Sequence, residues 1–285
     1  MSRFAALVST LVITAGAMAG AAHAGDRDVP KLVSFGGSCA GCELSGKKLT
    51  GAQFIGANFA ASHLVGADLR GASFMGANFQ QADFSRADLR GAEMSGAQFS
   101  LASFAGAQLD GIEASGSNFA KADLRNAQMT GAELSGSNLA GSQLAGAKLH
   151  GSELNAANLA GVDARGADFH NAELTAANLS QGQFAKASFR GAELGSAQMV
   201  RGDFRGADFT GADLEHAMLN GADLTDARIT QDQLDDACTD GATKLPRGLS
   251  GNTCHGVFIH KFVLPTPPTP PTPPRAPRWI ISGGD

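Results

Sequence analysis

Residues 67–91 read ADLRG ASFMG ANFQQ ADFSR ADLRG, which are blocks of five residues built on one pattern. Each block begins with Ala and has Leu or Phe in its third place. Outward from this stretch, an apolar residue recurs at every fifth position from Leu44 to Leu234, with no insertion or deletion. Internal repetition of this kind decides the fold, because each repeat must stack on its neighbours to bury its apolar side chain.

A period of five residues fits neither regular secondary structure. On an α-helix the Leu and Phe side chains would advance by about 140° per step and spread around the whole cylinder. On a strand they would alternate between the two faces. A chain that turns a corner every five residues instead keeps all of them inside, so the spacing predicts one continuous column of core.

The repeat also resembles a known family. A typical unit is Ala67-Asp68-Leu69-Arg70-Gly71, and the pattern resembles the A(D/N)LXX repeats of the pentapeptide-repeat family. The resemblance implies an all-β fold, a right-handed quadrilateral parallel β-helix (a solenoid) with four repeats per coil. Over this array it implies about ten coils, closed by short terminal caps because open sheet edges invite aggregation.

Two repeats with an unusually small centre support the prediction that these side chains pack inward. Their apolar centre is reduced to Ala114 and Ala164, and the residue two places earlier is enlarged to Ile112 and Val162. No other branched aliphatic residue occupies that position in the array. Volume removed from one inward site is returned at its neighbour, as close packing requires.

The N-terminus has the features of a cleavable secretory signal. Arg3 precedes an apolar stretch, and Ala22-His23-Ala24 is a small-residue cleavage pattern. We predict a signal peptide over residues 1–24 with cleavage after Ala24, and hence a periplasmic or secreted protein. The alternative is a membrane anchor. No second stretch approaches the roughly 20 apolar residues of a membrane span, so no transmembrane segment is expected in the mature chain.

The remaining boundaries follow the repeat. We predict an N-terminal cap with a C-x-x-C motif at 25–43, the repeat array at 44–234, and a C-terminal cap at 235–264. Thr230 is expected to cap a short helix that runs through Ala237. Residues 265–285 form a Pro-rich tail, expected to be a polyproline II spacer or, alternatively, a ligand for an aromatic groove of a partner.

The four cysteines allow three pairings. Cys39 and Cys42 lie at one end of the array and Cys238 and Cys254 at the other, and bonded Cα atoms must lie within about 7 Å. We therefore predict the disulfides Cys39–Cys42 and Cys238–Cys254, which suit an oxidising compartment. A redox C-x-x-C or half of a zinc site remain alternatives for the first pair.

The sequence contains no motif of a known catalytic site, and the acidic residues are spaced by the repeat rather than gathered in a cleft. We expect no enzyme activity, no cofactor and no metal site. The net charge of −5 gives a nucleic-acid backbone no overall attraction, so nucleic acid is not an expected partner.

Folding the array by about 20 residues stacks like residues on one side. One such ladder is acidic, and its neighbour carries Asn and Gln, whose amides hydrogen-bond along a stack. The acidic ladder is either a solvated face that protects the rod from association or a surface for a cationic partner or divalent ions. Its members are Glu93, Glu113, Glu133, Glu153, Glu173, Glu193 and Asp213.

Basic residues precede four of these acids by three places. Arg90 and Arg190 precede Glu93 and Glu193, and His150 and His170 precede Glu153 and Glu173. The expectation is partial charge compensation around a corner, and a metal site at the two histidines is the alternative.

These features favour an exported, non-catalytic structural or protein-interaction scaffold that presents flat β-helix faces to an unknown protein partner. The chain is expected to be a monomer or a homodimer. The family resemblance adds one rival from another class, a DNA mimic that protects type II topoisomerases from inhibitors. The signal sequence argues against the rival, because it removes the protein from the cytoplasm.

Overall fold

The structure, a computed structural model, describes residues 37–253. Its regular unit is a single bridged residue in the middle of each repeat. From Ser38 to Asp208, every fifth residue pairs in parallel with the residue 20 places further on. Twenty residues therefore return the chain to the same side, and four successive bridges define four sides. The fold is a four-sided parallel β-helix.

Hydrogen bonds between and within coils explain the repeat. Leu69 N donates to Asp88 O over 2.7 Å, and Asp88 N donates to Ala67 O over 2.9 Å. The corner is a β-turn closed by Ala72 N donating to Leu69 O over 3.0 Å. Its third residue, Gly71, has a φ of 62°, which is the left-handed region that type II turns need at this position. The Gly of the repeat is thus a corner residue.

The Leu and Phe centres and the small residues two places before them form the core. Leu69 and Ala67 are 0% and 1% exposed, and this alternation persists along the array. The prediction that these side chains share one inward column is confirmed. Phe rings stack directly across coils, as in the pair Phe84–Phe104, whose centroids are 4.8 Å apart.

The two weakened centres are packed as expected. Ala114 and Ile112 are both buried, and so are Ala164 and Val162. A narrow apolar void remains beside Ile112, bounded by Phe119 and neighbouring Leu and Met side chains. Ile112 therefore returns most of the volume that Ala114 removes.

Helix α1 (Gln231–Asp236) closes the C-terminal end of the coil. Thr230 is its N-cap, as predicted, and shares a capping box with Gln233. Gln233 Nε2 donates to the carbonyl oxygens of Phe209 and Ala212 at 2.7 Å, so the cap satisfies acceptors of the last full coil. Leu234, predicted as the last repeat centre, is fully buried but lies on α1.

At the other end, the bridges begin at Ser38, inside the segment predicted as cap. The predicted signal peptide (1–24), most of the N-terminal cap, Cys254 and the Pro-rich tail (265–285) lie outside the described residues. Across 37–253, no helix has the length and apolar character to cross a bilayer.

Candidate functional site

The acidic ladder forms one side of the coil. Consecutive parallel bridges join Glu93, Glu113, Glu133, Glu153, Glu173, Glu193 and Asp213. Neighbouring members are one coil apart, roughly 4.8 Å. The structure therefore brings together every acid that the sequence analysis placed on this side.

Local geometry turns these carboxylates outward. Glu93 lies between Ala92 and Met94, both 0% exposed, and successive residues of an extended segment point to opposite faces. The backbone of Glu93 is held by two hydrogen bonds to the preceding coil, because Glu93 N donates to Ala72 O and Glu93 O accepts from Phe74 N. All members of the ladder are exposed except Glu173, which is half-buried and accepts a hydrogen bond from Asn155 Nδ2 at 2.8 Å.

No ion pair joins a member of the acidic ladder to a Lys, Arg or His between residues 37 and 253. The expected compensation by Arg90 and Arg190 is wrong. Arg90 Nη2 lies 2.6 Å from Asp88, two residues earlier, and Arg190 Nη1 lies 3.5 Å from Asp208 in the next coil. Both arginines turn away from the ladder because a carboxylate on their own side lies nearer.

The basic residues instead neutralise most aspartates of two other sides, with Asp83 and Asp168 as the exceptions among the described residues. Arg125 shows the geometry, with Nε 2.8 Å from Asp123 Oδ1 and Nη2 2.5 Å from Asp123 Oδ2. The hydrogen bonds from Arg125 lower the pKa of Asp123. The same fork recurs in Asp68–Arg70, Asp88–Arg90, Asp163–Arg165 and Asp203–Arg205. Sequence reasoning missed these pairs, although Asp-x-Arg within one repeat was their signal.

The amide ladder runs beside the acidic one and consists of Asn58, Asn78, Gln98, Asn118, Asn138, Asn158, Asn178 and Gln198. Its predicted axial hydrogen bonds are present between most neighbours. Asn78 Nδ2 donates to Asn58 Oδ1 at 3.0 Å, and Asn138 Nδ2 donates to Asn118 Oδ1 at 3.3 Å. Each of these Asn residues also accepts a backbone N–H of its own corner, such as Ala140 N on Asn138.

His150 and His170 stack at one corner, with ring centroids 5.0 Å apart. The structure thus brings the two predicted histidines together. In the described part of the chain, no group of three or more His, Cys, Asp or Glu side chains is arranged to hold a metal ion.

Cys39 and Cys42 form a disulfide, with Cα atoms 5.5 Å apart. Cys39 occupies the apolar-centre position of the register and Cys42 the small position of the next repeat. The disulfide therefore lies where the first coil needs core side chains. Cys238 is 5% exposed within the C-terminal cap. Its predicted partner, Cys254, lies outside the described residues, so the second pairing stays a prediction.

A family model described as pentapeptide repeats (8 copies) matches overlapping segments that run from residue 38 to residue 226. The chain belongs to the pentapeptide-repeat family. The match starts at the first bridged residue, Ser38, and ends in the last coil before α1. The sequence has no significant match among curated proteins.

Solved pentapeptide-repeat structures are similar at low identity. HetL, involved in heterocyst differentiation regulation in the cyanobacterium Nostoc sp. strain PCC 7120, is 28% identical, covering 70% of this chain and 91% of HetL with a TM-score of 0.41. A pentapeptide-repeat protein of the Arabidopsis thaliana thylakoid lumen is 29% identical over 39% of this chain and 79% of its own, with a TM-score of 0.33. QnrB1, a plasmid-mediated fluoroquinolone resistance protein, is 24% identical over 74% and 92%, with a TM-score of 0.28.

Proposed function

We propose that this pentapeptide-repeat protein is an exported, non-catalytic scaffold that binds a cationic partner along its acidic ladder. The main support for this proposal is the uneven distribution of paired and unpaired charges over the four sides of the coil. Of the nine bridged aspartates on two other sides of the coil, all but Asp83 and Asp168 are paired with Arg or Lys, whereas the ladder from Glu93 to Asp213 has no such partner within the described residues. A side that keeps its charges unpaired attracts a complementary surface at long range.

Two further properties belong to this proposal. The coil is right-handed, because parallel crossover connections of L-residues are overwhelmingly of that hand, and the array has about ten coils. Export is supported by residues 1–24, which carry the signal features, and by the Cys39–Cys42 disulfide, since such bonds persist in oxidising compartments.

The DNA-mimic alternative is less well supported by the charge geometry. Duplex DNA presents one negative charge per about 1.7 Å of its axis. The acidic ladder presents one per roughly 4.8 Å, and arginines neutralise much of two other sides. A purified type II topoisomerase that is protected from its inhibitor by this protein, combined with cytoplasmic residence and an uncleaved N-terminus, would favour the mimic.

A second candidate for the ladder is the binding of divalent cations by pairs of carboxylates one coil apart, since no larger group of ligating side chains is arranged around an ion in the described residues. Calorimetric titration of calcium and zinc distinguishes it. Heats that vanish in Glu133→Gln/Glu153→Gln/Glu173→Gln support cation binding. Equal, negligible heats in the variant and the wild type would exclude cation binding and leave the binding of a protein partner as the proposed function of the ladder.

The leading proposal is tested in two steps. Cell fractionation of the full-length chain, with N-terminal mass determination, is expected to find protein that begins at Gly25 outside the cytoplasm. Affinity capture from a periplasmic extract is then expected to retain a basic protein that the triple Gln variant does not retain, with elution by salt.

The matched control removes the same number of charges away from the ladder, as Asp83→Asn/Asp168→Asn/Asp226→Asn. This control variant is expected to capture the partner as the wild type does. Loss of capture in both variants would mean that the partner responds to net charge rather than to the acidic ladder, and would refute the assignment of the binding surface to the ladder.

A further inference from the structure

The amide ladder has a hydrogen-bonding capacity that the fold leaves unused. The orientation of each amide is fixed, because a backbone N–H can only donate and must therefore face the oxygen. Ala120 N, Ala140 N and Ala160 N donate to Oδ1 of the preceding Asn at 3.1 Å in each case. The oxygen of each Asn thus faces its corner, and the nitrogen faces along the ladder.

The hydrogen bonds along the ladder then determine which amide donors and acceptors have no partner. Asn138 Oδ1 accepts both Ala140 N and Asn158 Nδ2, the latter at 3.3 Å, which fills its two lone pairs. Asn138 Nδ2 donates one hydrogen to Asn118. One N–H per Asn is left over, without a partner in the described residues and on a side chain that is only half-buried. This side therefore presents a row of uncharged donors, one per coil at roughly 4.8 Å.

The corner beside these donors carries only small side chains in two successive coils. The adjoining corner has Ala140 and Ala160 followed by Gly141 and Gly161. Larger side chains bound it at both ends, with Lys121 on one side and Gln181 on the other. The result is a shallow, neutral trough that runs along Asn118, Asn138, Asn158 and Asn178.

We propose that this trough docks a neutral β-1,4-linked glycan. Hydroxyl, ring and acetamido oxygens of such a chain are acceptors, and its sugars advance along the axis by a distance close to one coil. Each free N–H from Asn118 to Asn178 would then meet one sugar in register. A linear rigid ligand that fits a preformed row loses little conformational entropy on binding.

Other occupants fit less well. A second copy of this chain, placed face to face, would oppose donors to donors. An extended peptide advances about 3.3 Å per residue and carries its own donors, so it matches neither the spacing nor the polarity. The inference concerns a different side from the acidic ladder and stands independently of the proposed function.

The test is co-sedimentation of the full-length chain with crystalline cellulose and with chitin, using α-linked starch granules as the control polymer. The wild type is expected to bind at least one β-1,4 glycan and not starch. Ala140→Arg/Ala160→Arg is expected to weaken binding by about tenfold or more, because the new side chains fill the trough. The corner tolerates bulk, since Gln80 and Val200 occupy the equivalent place in other coils.

The matched control, Ala145→Arg/Ala185→Arg, adds the same charges at another corner where Arg125 and Arg165 already occur, and it is expected to bind as the wild type does. Asn138→Asp tests the donors themselves, because it keeps the acceptor for Ala140 N and removes the amide hydrogens. No binding of the wild type to either glycan, or equal binding by all variants, overturns the proposal.

Discussion

Arg125 closes back on Asp123, two residues earlier, and its guanidinium grips both carboxylate oxygens within 2.8 Å. The same arrangement two coils away joins Asp163 to Arg165. These forks lie on one side of the coil and neutralise the aspartates that they hold. The acidic ladder keeps its charge for a similar reason, because the arginines nearest to it, Arg90 and Arg190, are bound to Asp88 and Asp208.

The forks make stability depend on pH. Hydrogen bonds from arginine lower the pKa of Asp123, Asp163 and Asp203 below the ordinary value. A lowered folded-state pKa means that this stability is present above the unfolded pKa, about 3.9, and is lost as pH falls through the folded pKa. The melting temperature should therefore drop steeply below about pH 4.

Arg125→Ala/Arg165→Ala/Arg205→Ala is expected to flatten this acid limb of a plot of melting temperature against pH. The control Arg86→Ala/Lys121→Ala/Lys186→Ala removes the same charge from corners and should keep the steep limb. If both variants show the same acid dependence as the wild type, the forks do not contribute it.

The pair Ile112 and Ala114 should behave as one packing unit. Ile112→Ala is expected to cost about 2–5 kcal/mol of unfolding free energy, because it enlarges a void that nothing nearby can fill. Adding Ala114→Leu restores the usual arrangement of a small residue followed by a large centre and should recover most of the loss. Urea unfolding measures both, and a double variant as unstable as the single would show that the two sites are not coupled.

Two buried hydroxyls should be dispensable. Ser137 Oγ and Ser142 Oγ have no hydrogen-bond partner, whereas Ser152 Oγ donates to Leu149 O at 2.7 Å. Replacing either orphan with Ala removes a desolvated group without breaking a bond, and should stabilise the protein by about 1 kcal/mol. Ser152→Ala, in the same inward position, should destabilise it by a similar amount. Thermal melts that rank all three variants alike would contradict this reasoning.

The cysteine pairing can be mapped directly. Proteolysis without reduction, followed by mass spectrometry, should yield one peptide bridged between Cys39 and Cys42 and another bridged between Cys238 and Cys254. Removing the first bond as Cys39→Ser/Cys42→Ser should cost about 2 kcal/mol, since the closed loop is short. A bridge from Cys39 or Cys42 to Cys238 would be incompatible with a coil that separates the two ends.

Much of the fold was accessible from sequence because position in the repeat decides environment. Leu69 and Ala67 are buried and Asp68 is not, wherever the coil places them. Charge pairing was less accessible. Arg90 is three residues before Glu93 and two after Asp88, and spacing alone does not determine with which of the two it forms an ion pair. In the structure, the geometry of the corner directs Arg90 to Asp88.

By itself, the sequence determined the period of five, the inward column and the members of each ladder, because a fixed repeat maps each residue type onto one side. Only the tertiary structure determined which hydrogen-bond donors and acceptors are satisfied within the coil. Hydrogen bonds and ion pairs form between residues that share a coil or stack on the next, and their geometry depends on the corner between them. Within the described residues, that geometry leaves the carboxylates of the acidic ladder without an ion pair and leaves one amide hydrogen without a partner on each Asn from Asn118 to Asn178.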